Sequence, residues 1–228
     1  MQTCSGKVEF LPMKPIQSTL FHRVLFPENP AAQKHPTVIM LHGRGSDEED
    51  LLGIAPMFDE RFLIISVRAP YEFPYGGYTW FDLEQIGSPD LPTFNESYRK
   101  LCLFLDDVRS GYPVNTSALI LFGFSMGTVM SYAVGLTRPD IIRAVAANSG
   151  ILPEVASLNY RWRELENTEF FITHGTVDPV IPIDHARRAR DLMTHSTARV
   201  TYREYPVPHT LGEEALADVL EWTRKFIE

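Results

Sequence analysis

The sequence predicts an α/β protein: a mostly parallel central sheet with helices on both faces and no large cap domain. Three observations carry this. Short runs at Thr37–Leu41, Phe62–Val67, Ala118–Phe122, Ile142–Ala147 and Phe170–His174 are predominantly apolar and mostly β-favouring, as expected of strands buried on both faces. Helical patterns alternate with those runs, the signature of parallel strands joined by crossovers. Residues with reactive side chains follow several of the runs, where open α/β sheets gather ligand-binding groups.

The elements read as follows. Residues 19–26 form an early antiparallel edge strand, and Pro27 to Pro36 a polar loop. After Thr37–Leu41 comes His42-Gly43-Arg44-Gly45-Ser46, then a short helix over Asp47–Met57 with acidic residues in its first turn. Phe62–Val67 is the next strand. Arg68 to Pro92 shows no regular period and is rich in Pro, Gly and aromatics, so it reads as a long functional loop. Phe94–Ser110 is an amphipathic helix with Tyr98, Leu101, Leu105 and Val108 on one face, closed by Gly111 and Pro113. The strand Ala118–Phe122 leads through Gly123-Phe124-Ser125-Met126-Gly127 into a helix over Thr128–Leu136. Ile142–Ala147 is a strand ending in Asn148-Ser149-Gly150, and residues 151–168 form a connection too short for a cap. Phe170–His174 runs into Gly175-Thr176-Val177-Asp178. A helix over Ile183–His195, a last strand over Arg199–Tyr205 and a closing amphipathic helix over Gly212–Ile227 complete the chain.

The length of 228 residues suits one domain spanning residues 1–228. The net charge of −8 gives no footing for nucleic acid or an anionic membrane. Cys4 and Cys102 are the only cysteines, which implies no disulfide framework and fits a reducing compartment. Met1 to Lys7 lacks the apolar core of a signal peptide, and no apolar run approaches membrane-spanning length. The expectation is a cytoplasmic protein with no membrane span; a homodimer is compatible with it.

Strand, G-x-S-x-G and helix is the layout of a nucleophile elbow. The pentapeptide alone is common, and a Gly/Ser turn would satisfy it. Its weight comes from the strand before, the helix after and the partners downstream. Serine needs a base, and the base needs an orienting acid. Asp178 and His209 both follow predicted strands, and serine, acid, histidine is the order in which α/β-hydrolases carry a triad. The assignment is Ser125 as nucleophile, His209 as general base and Asp178 as orienting acid. Asp184 is the nearest substitute acid but reads as a helix N-cap. His185 and His195 read as a solvated helix face, His42 and His174 as structural or supporting residues, and His22 and His35 as surface residues. The backbone N–H groups of Met126 and Arg44 are the candidate oxyanion donors. Tyr78, Trp80 and Phe81 are candidates to wall the substrate pocket, or else pin their loop to the core.

Leu41-His42-Gly43-Arg44-Gly45, Thr79-Trp80-Phe81-Asp82, Gly123-Phe124-Ser125-Met126-Gly127, Asn148-Ser149-Gly150, His174 to Pro182 and the late His209 occur in one order. In this the chain, from about Thr37 to its C-terminus, resembles the phospholipase/carboxylesterase family of small α/β-hydrolases, which includes acyl-protein thioesterases. The resemblance implies an α/β-hydrolase fold and a cofactor-free serine esterase or thioesterase acting on small ester substrates or lysophospholipid-like acyl esters. It carries the same roles onto Ser125, Asp178, His209, Arg44 and Met126. Met126 stands where family members often carry glutamine, Pro208 where glycine often precedes the histidine, and Arg44 where an apolar residue is common, which implies a different substrate preference. The alternatives are a ligand-binding or interaction protein on a dead scaffold, against which all three triad candidates are retained, and a dienelactone-hydrolase-like enzyme, which typically carries cysteine at the elbow. Glu48 instead of glycine argues against a dinucleotide site, and no HExxH or Cys/His ligand set suggests a metal.

Overall fold

A computed structural model describes residues 15–27 and 34–227. Cys4, the Met1–Lys7 stretch and residues 28–33 of the early loop lie outside the described residues. The strands are β1 (His22–Leu25), β2 (His35–Leu41), β3 (Leu63–Val67), β4 (Tyr71–Glu72), β5 (Tyr78–Thr79), β6 (Leu83–Gln85), β7 (Ser88–Pro89), β8 (Val114–Phe124), β9 (Ala144–Asn148), β10 (Glu169–Gly175) and β11 (Arg199–Tyr205). The helices are α1 (Leu91–Gly111), α2 (Met126–Thr137), α3 (Asp184–Met193) and α4 (Glu213–Thr223). A seven-stranded sheet runs β1-β3-β2-β8-β9-β10-β11, with β1 antiparallel to β3 and every other pair parallel.

The strands alternate between two cores, as a period of two requires. Ile39, Leu41, Leu119, Leu121, Val145 and Phe170 face one core, shared with α1, α2 and α3. Val38, Met40, Ile120, Phe122, Ala146 and Phe171 face the other, shared with α4 and a 3₁₀ helix over Leu51–Met57. Leu101, Leu105 and Val108 of α1 are fully buried, and the Tyr98 hydroxyl donates to Thr137 Oγ1 at 2.7 Å. Among the described residues no helix is long and apolar enough to cross a membrane.

Several expectations are corrected. The helix over Asp47–Met57 is a 3₁₀ helix that begins only at Leu51, contains Pro56 and has no acidic residue in its first turn. Proline interrupts α-helical bonding, and short 3₁₀ segments tolerate it better. Glu48 is instead buried and pairs with Arg68 at 2.5 Å. The Arg68–Pro92 stretch is not structureless: β4 pairs with β5 and β6 with β7 as two small hairpins. Pro92 belongs to α1, whose cap is Asp90, its carboxylate accepting from Thr93 N–H at 3.0 Å. Asp184 is no N-cap; it lies inside the first turn of α3, and Ile183 occupies the cap without a side-chain bond.

His22 and His35 are buried, not on the surface. His22 fills an internal site with Tyr112 Oη at 2.7 Å from Nε2, Leu20 O at 3.1 Å from Nδ1, and the Phe104 ring edge-on. Burial pushes His22, His35, His42 and His174 below the ordinary histidine range. These groups stay neutral in the fold while the unfolded chain takes up protons below about pH 6.5. Stability is therefore expected to fall as pH drops from that point towards the folded-state values. Thermal midpoints should be level between pH 7 and 8 and several degrees lower at pH 5.5. A flat profile across that window would contradict the neutral assignment.

Candidate active site

Ser125 occupies a one-residue turn between β8 and α2, with φ 53° and ψ −115°. A non-glycine residue at positive φ is strained and persists only where its surroundings fix it. Ser125 N–H donates to Asn148 O at 3.0 Å, and Ser125 O accepts from Thr128 N–H at 3.0 Å. The two motif glycines make the turn possible. A Cβ on Gly123 would lie 2.5 Å from Ser131 Oγ, and one on Gly127 would lie 1.9 Å from the Leu41 carbonyl oxygen of β2. That oxygen belongs to buried sheet backbone and cannot yield. Gly127→Ala should therefore lose more than about 3 kcal/mol or fail to fold, whereas Gly53→Ala, which meets nothing within 4 Å, should be near neutral. Urea midpoints of the two variants check this.

His209 follows β11, and its imidazole packs against Phe124 with ring centroids 5.2 Å apart. His209 Nε2 is 2.9 Å from Ser125 Oγ, and His209 Nδ1 is 2.7 Å from Asp178 Oδ2. Pro208 accommodates the loop, its carbonyl accepting from Thr210 N–H at 2.8 Å. Asp178 sits just beyond β10 with its side chain fully buried. Its Oδ1 accepts from Val180 and Ile181 N–H, both at 2.8 Å. Burial opposes its ionisation, but the bonds from His209 and those two N–H groups outweigh that and hold the carboxyl below its usual range. The three sequence-assigned residues thus form one hydrogen-bonded series. Asp184, the alternative acid, has a side chain 87% exposed, paired with Arg187 at 3.6 Å.

His174 and His42 support the site from within. His174 Nε2 lies 2.8 Å from Ile181 O and 3.3 Å from Asp178 Oδ2, so this nitrogen carries the proton and donates. His42 accepts from Ala69 N–H on Nε2 at 3.0 Å and donates from Nδ1 to Gly43 O at 2.7 Å. Among the described residues, no acceptor pairs with the Met126 or Arg44 N–H. Both residues line the cavity that holds Ser125.

That cavity is about 230 Å³ and is walled by Phe81, Leu83, Ile86, Met126, Val129, Ile151 and Ile181, among others. Of the three aromatics singled out, only Phe81 lines it. Trp80 is fully buried and donates from Nε1 to His42 O at 2.9 Å. Tyr78 stacks under the Arg68 guanidinium, 4.5 Å from its ring centroid, and its N–H donates to Ser46 O at 2.7 Å. These two pin the Arg68–Pro92 segment behind the His42–Ser46 turn.

Sequence reasoning gave no individual role to Asn148, Thr128 and Thr173. Asn148 Nδ2 donates to Gly123 O at 2.9 Å, and Asn148 Oδ1 accepts from Thr173 Oγ1 at 2.7 Å. Thr128 Oγ1 donates to Asn148 O at 2.7 Å. The network ties the elbow to β9 and β10. An asparagine closing a buried apolar strand was the available signal, since a buried amide must find partners.

A family model described as Phospholipase/Carboxylesterase matches residues 23–227. The chain is 27% identical over 227 residues to acyl-protein thioesterase 1 of Candida albicans, covering 90% of this chain and 97% of that protein. It is 27% identical over 192 residues to esterase YpfH of Escherichia coli, covering 77% and 74%. The crystal structure of the Bacillus cereus carboxylesterase superposes with a TM-score of 0.80 at 20% identity, over 91% of this chain and 94% of that one. With a match over nearly its whole length, the chain belongs to the phospholipase/carboxylesterase family and has the α/β-hydrolase fold.

Proposed function

We propose that this protein hydrolyses carboxylic esters or thioesters through an acyl-enzyme on Ser125. The observation that carries the reading is the unbroken series Ser125 Oγ, His209, Asp178, with contacts of 2.9 and 2.7 Å. His209 takes the Ser125 proton on Nε2 as Oγ bonds to the carbonyl carbon. Asp178 holds Nδ1–H, which fixes the tautomer and stabilises the imidazolium. The carbonyl oxygen becomes an oxyanion, towards which the Met126 and Arg44 N–H groups are available. Collapse of that intermediate breaks the bond to the leaving alcohol or thiol, which receives the Nε2 proton. Water then replaces the leaving group: His209 takes its proton, hydroxide adds to the acyl carbon, and Oγ departs with the proton from Nε2.

The apolar cavity beside Ser125 supports a short or medium acyl or aryl group as the part held. The reading treats the chain as one catalytic domain, supported by the continuous seven-stranded sheet. All three residues of the series come from one chain, so a homodimer is compatible but not required. A cytoplasmic location belongs to the same reading, supported by the acidic composition and the free Cys102 thiol. A panel of p-nitrophenyl esters and acyl thioesters of increasing chain length tests it. Turnover of at least one member is expected. Inert protein across the whole panel would favour a binding protein on this scaffold.

A further inference from the structure

We propose that Arg44 makes the enzyme selective for esters that carry a carboxylate close to the scissile carbonyl. The inference rests on the serine-hydrolase reading above. Among the side chains the structure describes, Arg44 is the one ionisable group lining the cavity that holds Ser125. The walls beyond it are apolar, formed by Phe81, Leu83, Val129 and Ile151 among others.

Its guanidinium has no carboxylate partner among the described side chains. Every other arginine of the described residues except Arg163 lies within ion-pair distance of Asp or Glu. Arg44 is nevertheless held in place. It stacks on the Phe73 ring, 4.5 Å from the centroid. Phe73 in turn packs on Gly45 and is fixed by bonds of 2.9 Å from its own N–H to Gly77 O and from Gly76 N–H to its carbonyl. The ring contact consumes no N–H of the guanidinium, and among the described side chains no acceptor engages those groups, so they are available to a carboxylate, which guanidinium binds in bidentate fashion.

The backbone N–H of the same residue is a candidate oxyanion donor. A group bound by its side chain is therefore within one arginine length of the reacting carbonyl. A single guanidinium balances one negative charge. A phosphate monoester would bring a second, uncompensated one into a protein of net charge −8. The substrate class that fits is a monoanionic ester with an apolar body, such as the hemiester of a dicarboxylic acid.

The test compares kcat/KM for matched charged and neutral esters, taken as a ratio within each protein. The acyl-side pair is the 4-nitrophenyl hemiester of glutaric acid against 4-nitrophenyl pentanoate. The alcohol-side pair is 4-carboxyphenyl butyrate against its methyl ester. The ratio cancels any change that a substitution makes to turnover itself. For at least one pair, Arg44→Gln should lower the charged-to-neutral ratio about twofold to fivefold, the range for an exposed ion pair. Arg44→Lys should retain part of the preference, and 0.5 M salt should shrink the wild-type ratio. Ratios for both pairs that are the same in wild type and Arg44→Gln would overturn the inference while leaving the hydrolase reading intact. An Arg44-dependent preference for a phosphorylated ester over the carboxylate one would overturn the assignment of the anion. If no ester is turned over, the hydrolase reading fails separately. Calorimetry of monomethyl against dimethyl glutarate on wild type and Arg44→Gln then decides the question: tighter binding of the monoester lost in the variant supports the inference, and equal binding overturns it.

Discussion

Ser125→Ala should lose ester hydrolysis by about 10,000-fold or more, leaving only what the cavity and oxyanion donors contribute without a nucleophile. Alanine keeps the backbone turn at φ 53° and removes only the hydroxyl that His209 Nε2 contacts at 2.9 Å. The fold should therefore survive, and circular dichroism with a thermal midpoint near wild type would show it. The initial burst of leaving group, where wild type gives one, should vanish with the steady rate. A variant that folds and retains more than a tenth of the activity would mean that another group attacks the carbonyl.

Asp178→Asn should be nearly as severe, about 1,000- to 10,000-fold in kcat. The reason is local and does not depend on which way the amide turns. Asp178 Oδ2 faces His209 Nδ1 at 2.7 Å and His174 Nε2 at 3.3 Å, while Oδ1 faces two backbone N–H groups at 2.8 Å. Both sides present donors, so the amide NH₂ of asparagine must meet a donor in either orientation. With NH₂ towards His209, the imidazole is driven to carry its proton on Nε2, where it can no longer accept from Ser125. With NH₂ towards Val180 and Ile181, the loop that holds the acid is disrupted. Asp184→Asn, on the exposed face of α3, should leave kcat unchanged. Equal losses in the two variants would remove the distinction between the two carboxylates.

The buried strands were legible because a strand covered on both faces is apolar without interruption. Val38 to Leu41 and Leu119 to Phe122 are fully buried in the structure. The order of serine, acid and histidine was legible because each follows a strand end, and parallel strands bring those ends to one edge. Other features depend on contacts far apart in the chain. The burial of His22 rests on Tyr112, 90 positions away. The elbow's brace is Asn148, a contact 25 positions from Gly123. No local pattern encodes either. The hairpins within Arg68–Pro92 have strands of two or three residues, too short for a period of two to register. Trp80 and Tyr78 were visible as loop aromatics. Only their partners, His42 O and Arg68, show that they brace the turn behind the site instead of lining the cavity.

The most direct measurement is intact-mass spectrometry with peptide mapping after reaction with a fluorophosphonate probe, comparing wild type with Ser125→Ala and His209→Ala. One adduct per chain is expected, on the peptide that contains Ser125, slowed by orders of magnitude without His209 and absent without Ser125. Labelling of a different serine, or equal labelling rates in all three proteins, would mean that the hydroxyl at the elbow is not the one activated.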